Sequence, residues 1–202
     1  MRKKSPRRQD GAQSNRVRII GGQWRGSWLE FPSVAGLRPS SDRMRETLFN
    51  WLQPLLPGAS CLDVCAGSGV LGFEAVSRGA RHATLIDKDA AVVALLNAAR
   101  QRFAAESEIE IVRQDAVHWL QQCETQFDLV FVDPPYDTGL YPALLQAMQA
   151  ASIFHSHAHL FIEWGADQES PLSGLLDSGW ELYRDMRTRH AQCALLRLTP
   201  SS

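Results

Sequence analysis

The 202-residue sequence has no run of about 18 consecutive apolar residues, which excludes a transmembrane helix. Its amino terminus is basic but has no apolar h-region, so a secretory signal is excluded as well. The four cysteines, Cys61, Cys65, Cys123 and Cys193, form no CxxC pair. Without a secretory signal they read as reduced thiols of a cytoplasmic protein. There is no internal repeat, which sets aside repeat architectures.

What is present suffices for one full α/β domain with a short appendage, since 45% of the residues are hydrophobic. A formal net charge of −1 conceals an asymmetry. Met1 to Arg45 carries 11 basic and three acidic residues, net +8, whereas the remaining 157 carry 10 basic and 19 acidic residues, net −9. Such a division suggests a polyanion-binding arm on an acidic globule. Basic residues continue beyond the polar tail into the segment from Arg16 to Arg45, which favours nucleic acid over a merely solubilising tail.

Met1 to Asn15 is polar and basic, and disorder is expected there. Residues 16–37 read as a β-hairpin, with Val17 to Ile20 and Trp24 to Phe31 as strands joined across Gly21-Gly22. Residues 38–202 form the main domain. Ser41 or Asp42 caps a helix carrying Met44, Leu48, Trp51 and Leu52 at helical spacing, and Pro54 and Pro57-Gly58 end it. Strands and helices then alternate. Strands are predicted at Ser60 to Val64, Ala83 to Ile86, Glu108 to Val112, Asp128 to Val132 and Ala158 to Glu163. The intervening helices are predicted at Leu71 to Arg78, Ala90 to Ala104, Ala116 to Gln122, Leu140 to Ala150 and Pro171 to Ser178. Trp180 to Met186 and Gln192 to Leu198 close the chain as two strands around a tight loop. The class is α/β, a mostly parallel, doubly wound seven-stranded sheet with one antiparallel strand, plus the amino-terminal hairpin.

Two constellations carry chemistry. In Asp63-Val-Cys-Ala-Gly67-Ser68-Gly69-Val-Leu-Gly72 a glycine-rich turn follows a strand and opens a helix, the setting in which G-x-G-x-x-G binds nucleotides. Asp87 ends the next strand and can bind ribose hydroxyls. Asp63, four residues before Gly67, repels a pyrophosphate but suits a ligand bearing an ammonium and a sulfonium, which S-adenosylmethionine has. Asp115 can accept from an adenine amine while capping the following helix, with the backbone at Ala116 completing the contact.

The second constellation is Asp133-Pro134-Pro135-Tyr136, directly after the apolar run Leu129 to Val132. Two prolines continue neither a helix nor a ladder, so this is a stiff turn at a strand's carboxyl end, where open α/β sheets place ligands. Asp133 and the Pro134 carbonyl can accept from an exocyclic amine, and Asp133 can stabilise the positive charge that reaches that nitrogen as it is methylated. Tyr136 can stack on the base. The chemistry needs no metal, and His155, His157 and His159 read as exposed loop-to-strand residues.

Together these motifs resemble S-adenosylmethionine-dependent methyltransferases of the Rossmann-like class I. The flanks Arg18-Ile-Ile-Gly-Gly-Gln-Trp-Arg25-Gly26 and Arg38-Pro-Ser-Ser-Asp-Arg43-Met-Arg45-Glu-Thr-Leu-Phe-Asn-Trp51-Leu52 resemble the RsmD family, which methylates the N2 amine of a guanine in bacterial 16S ribosomal RNA. The resemblance runs from about Val17 to the carboxyl terminus. It implies cofactor contacts from Asp63, Gly67, Ser68, Gly69, Asp87, Lys88, Asp115 and Ala116, and a catalytic turn of Asp133, Pro134 and Tyr136. It places the Arg38 to Glu46 segment over the cofactor and target. Two departures are small: Cys65 stands where a bulky apolar residue is usual, and Asp87 replaces a commoner Glu. RNA contacts are expected from Arg18, Arg25, Arg38, Arg43, Arg45, Arg187 and Arg189. The expected partner is the small ribosomal subunit, bound by a monomer that recognises a preformed shape. Rival readings are a DNA adenine-N6 methyltransferase, for which the length leaves no target-recognition region, a catalytically silent RNA-binding factor, and a dinucleotide oxidoreductase.

Overall fold

The computed structural model describes residues 14–32 and 42–199. Ser41, Arg38 and most of the basic tail lie outside them, although the first strand begins at Ser14, where disorder was expected through Asn15.

Strands β1 (Ser14–Arg18) and β2 (Trp28–Pro32) pair antiparallel as a separate two-stranded sheet. The second strand starts four residues later than the sequence suggests because Ile19 and Ser27 close the connection, with Ile19 N–H donating to Ser27 O and Gly26 N–H to Ile19 O. Trp24 leaves the ladder and stacks on Phe103, ring centroids 4.8 Å apart. Helix α1 (Asp42–Leu52) follows, with Met44, Leu48, Phe49 and Leu52 buried.

The main sheet holds β3 (Ser60–Asp63), β4 (His82–Asp87), β5 (Ile109–Arg113), β6 (Phe127–Val132), β7 (Phe154–Gly165), β8 (Trp180–Arg187) and β9 (Ala191–Leu198), in the order β5-β4-β3-β6-β7-β9-β8. β9 runs against both its neighbours and the other strands run together. Helices α2 (Val70–Ser77), α3 (Ala90–Arg102), α4 (Ala116–Leu120), α5 (Tyr141–Ala150) and α6 (Ser173–Leu176) connect them. β7 is twice the expected length because its polar start, His155 to His157, continues the strand past a register shift in β6; no hydrophobic alternation marks that part. The helix expected over Pro171 to Ser178 shrinks to the single turn of α6.

The central strand β6 shows why both sheet faces are dry. Leu129 and Phe131 enter the core shared with the hairpin, α1, α2 and α3, and Val130 and Val132 enter the core under α5. Helix α2 is buried on every side, since it lies between the sheet and the hairpin with α1. That burial includes Glu74, whose carboxylate accepts from Ile20 N–H at 2.7 Å and Arg78 Nε at 2.8 Å and faces Arg45 Nη1 at 3.8 Å. The hairpin tip seats on the far end of α2. Gln23 N–H donates to Ser77 O, and Gly22, at φ +73°, lies so close that an added Cβ would fall 1.8 Å from that carbonyl. The first hairpin motif therefore docks at the amino edge of the sheet. Among the described residues no helix is long and apolar enough to cross a membrane.

Candidate active site

Register brings the carboxyl ends of five strands into line. Asp63 pairs with Leu85 and Phe131, Asp87 with Arg113, and Val132 with Ile162. The residues just beyond these positions, Gly67 to Gly69, Asp115, Asp133 and Glu163, share one edge.

Asp63 is buried and accepts from the backbone N–H groups of Gly72 and Cys65, yet its Oδ2 has no hydrogen-bond partner among the described residues. Burial pushes its pKa up to about 7, and the Asp87 charge adds to the rise. An orphaned carboxylate oxygen of this kind calls for a donor, and a cationic one gains most. Asp87 receives Gly67 N–H at 3.0 Å and Asp89 N–H at 2.8 Å, which locks the glycine turn to β4, and burial raises its pKa. Two carboxylate oxygens offer about four lone-pair sites, so capacity remains for hydroxyl donors. Gly69, at φ +73°, caps α2, and a Cβ there would fall 2.4 Å from Leu96 Cδ2. Ser68 is buried beside it with its Oγ 3.4 Å from Val70 N. Lys88 is exposed. Asp115 is exposed and caps α4, accepting from His118 N–H at 3.1 Å, as its position before Ala116 predicts.

The thiol of Cys65 reports how these groups converge: burial raises its pKa first, and then the charges of Asp63, Asp87, Asp133 and Asp115. Four carboxylates thus surround one loop. A neutral or anionic ligand gains little there, and a cation gains much.

On the other side of the edge the proline turn is pinned. Pro134 is buried, Asp133 is half-buried, and a single 3-10 turn follows from Tyr136 to Thr138. The Tyr136 hydroxyl donates to Glu163 Oε1 at 2.5 Å, and Gln168 Nε2 donates to the Tyr136 carbonyl at 2.5 Å. Tyr141 donates its hydroxyl to the Glu163 carbonyl. Burial, followed by the Glu163 and Asp133 charges, holds the Tyr136 phenol protonated well above its usual range. The ring of Tyr136 is therefore fixed by its hydroxyl and by packing against the core. Glu163, Tyr141 and Gln168 escaped the sequence reading. The available signal was Glu163 itself, a lone acid in the apolar run from Leu160 to Trp164.

Residues 17–197 match the family model described as Conserved hypothetical protein 95. Ribosomal RNA small subunit methyltransferase D of Escherichia coli K12 is 40% identical over 179 residues, covering 85% of each chain. The chain belongs to the RsmD family. The solved Escherichia coli protein yhhF superposes with a TM-score of 0.80 at 37% identity, covering 93% of this chain and 100% of that one. The Thermus thermophilus 16S rRNA N2 G1207 methyltransferase RsmC, solved with AdoMet and guanosine, shares the fold at TM-score 0.70. It is 19% identical and covers 98% of this chain and 53% of that one.

This RsmD-family protein is a Rossmann-like methyltransferase. Its expected RNA residues fall in different places. Arg18, Arg25 and Arg43 are exposed, and Arg38 lies outside the described residues. Arg45 corrects the expectation: it is fully buried, donating to Arg18 O at 2.9 Å and pairing with Asp42 at 2.5 Å and Glu74, so no phosphate reaches it. Its position on the inner face of α1 makes it a structural cation. Arg187 and Arg189 are exposed, and the loop bearing them sits at the carboxyl edge, since Ala191 pairs with Gly165 and Ala166 N–H donates to His190 O. Of the three histidines, His155 and His157 are exposed, whereas His159 is buried edge-on against Tyr183, with burial lowering its pKa.

Proposed function

We propose that this enzyme transfers the methyl group of S-adenosylmethionine to the exocyclic N2 amine of a guanine in small-subunit ribosomal RNA, on an assembled or assembling particle in the cytoplasm. The observation that carries the reading is the Asp133-Pro134-Pro135-Tyr136 turn, set by β6 beside the acidic loop of β3 and pinned through Tyr136 to Glu163. The name and likeness of the Escherichia coli relative support the ribosomal substrate.

S-adenosylmethionine supplies an electrophilic methyl group on a sulfonium when bound. Asp63 would accept from its ammonium through Oδ2, the backbone of Gly67, Ser68 and Gly69 would allow close approach, and Asp87 would take the ribose hydroxyls beside Lys88. Asp115 with the Ala116 backbone would take the adenine amine. The target base must leave its stack to reach the turn. Its amine lone pair is delocalised into the ring, and a carboxylate near pKa ~3.9 does not deprotonate so weak an acid. Asp133 and the Pro134 carbonyl instead accept its N–H groups and favour a pyramidal nitrogen. As positive charge develops there, Asp133 stabilises it, and after transfer the nitrogen gives up one proton to solvent water. Tyr136 stacks on the base and fixes its plane, so alignment supplies much of the rate. Arg18, Arg25, Arg38 and Arg43, with Arg187 and Arg189 beside the catalytic turn, take phosphates.

Incubation with labelled S-adenosylmethionine and unmethylated small subunits, free small-subunit RNA or DNA tests the reading, followed by mapping of the labelled base. Label at one guanine N2, lost with Asp133→Ala, is the expected result. Label on adenine N6 of DNA, or none on any RNA, contradicts it.

A further inference from the structure

Trp28, Leu176 and Leu182 are the large apolar side chains exposed among the described residues, and Trp28, at 50%, is the most open. Among those residues its indole has no ring and no guanidinium against it, whereas Trp24 in the same hairpin is stacked on Phe103. Hairpin alternation explains the exposure. Val17, Leu29 and Phe31 point into the core, so Trp28 and Arg18, paired across the strands, share the outer face. In the next row Arg16 pairs with Glu30 at 2.8 Å. From the last turn of α3 the exposed Arg102 donates to the Trp28 carbonyl, bringing a further cation to this end. The chain enters β1 from residues 1–13, a segment with five basic residues and one acid.

A flat, unpartnered aromatic ringed by arginines and fed by a basic tail matches a polyanion that carries flat groups, which is single-stranded RNA. We propose that Trp28 is a stacking platform for an unpaired base of the RNA substrate, with Arg18 and Arg102 on the flanking phosphates. The platform lies at the amino edge of the sheet. Helix α3 starts beside Asp87 and Asp89 and ends at Arg102 after 13 residues, a rise of about 20 Å. RNA that reaches both Trp28 and Asp133 must span at least about that distance. A folded RNA does so more readily than a short hairpin. Asp42 and Glu46 share a cleft of about 230 Å³ with Arg18 and Arg25 and offset their charge, so stacking, which salt does not screen, carries more of the affinity. The inference rests on the RNA reading above and deepens it.

The test uses the full chain and a labelled single-stranded RNA decamer, read by anisotropy across a salt series, alongside KM and kcat on unmethylated small subunits. Trp28→Ala is expected to weaken decamer binding roughly five- to hundredfold at every salt concentration, with the salt slope unchanged. It should raise KM for subunits and leave kcat at saturation within about twofold, and Trp28→Phe should restore most of the loss. Arg102→Gln should instead lower the salt slope by about 0.7. An exposed ring predicts unchanged thermal unfolding, which separates this role from a structural one. Wild-type decamer affinity in Trp28→Ala, or a Phe variant no better than Ala, overturns the platform and leaves the face to a protein partner. Trp28-dependent RNA binding by a wild-type enzyme that methylates no small-subunit RNA supports the platform and removes the guanine reading instead.

Discussion

At the carboxyl edge of the large sheet, Asp63, Asp87 and Asp115 are each held by backbone N–H groups at a strand end or helix start, and Tyr136 is tied to buried Glu163. On the amino-terminal hairpin, Arg18, Arg25 and Trp28 stand open on a surface. The first region is acidic and tightly held, and the second carries exposed arginines whose charge Asp42 and Glu46 partly offset. On the proposed function, pre-organisation belongs where a methyl group must be aligned within fractions of an ångström, and adaptable contacts belong where a large, irregular RNA must be held. The two regions are joined through Glu74, which holds Ile20 of the hairpin, faces Arg45 of α1 and pairs with Arg78.

The largest effect should come from breaking that joint. Glu74→Ala strands buried cations and is expected to cost about 3–5 kcal/mol in denaturant unfolding. Wild-type stability in this variant would mean the hairpin is held by packing alone. Tyr136→Phe keeps the ring and removes its bond to Glu163. Loss of a hydrogen bond to a charged group should lower kcat roughly ten- to hundredfold. Cofactor affinity should stay unchanged, as calorimetry with S-adenosylmethionine can check.

The edge should also respond to pH. The Asp63 pKa near 7 lies above the ordinary 3.8, so its contribution to the stability of the free protein is full below 3.8 and is lost as pH rises through 7. Binding an ammonium favours the ionised carboxylate and therefore releases a proton. S-adenosylmethionine affinity is expected to rise about tenfold per pH unit below 7 and level off above it. Proton release in buffers of different ionisation enthalpy measures this directly, and a flat profile would separate Asp63 from the ammonium. The smallest effect belongs to the hairpin: Arg18→Gln should reduce the salt slope of RNA binding by about 0.7–0.9.

The two regions also differed in legibility. Glycines, acids after strands and adjacent prolines are local signals, and Asp63, Asp87, Asp115 and Asp133 fell on one edge because strand ends must align in a parallel sheet. The hairpin cations were visible only as charge. Buried Arg45 meets Arg18 O and Glu74, 27 and 29 residues away, and its local pairing with Asp42 does not report that burial. Glu163 was hidden for the same reason, since its partners Tyr136 and Tyr141 come from the preceding βα unit. Trp28 read as a strand residue, and its exposed face depended on a hairpin register fixed by the turn from Ile19 to Ser27.

The separation of chemistry from RNA holding is tested most directly by measuring kcat and KM on unmethylated small subunits for Asp133→Ala and Arg18→Glu side by side. The expected result is a kcat about 10²–10³-fold lower in the first with KM nearly unchanged, and a raised KM with nearly unchanged kcat in the second. A kcat loss in Arg18→Glu as deep as that of Asp133→Ala, or near-normal turnover without Asp133, would contradict it.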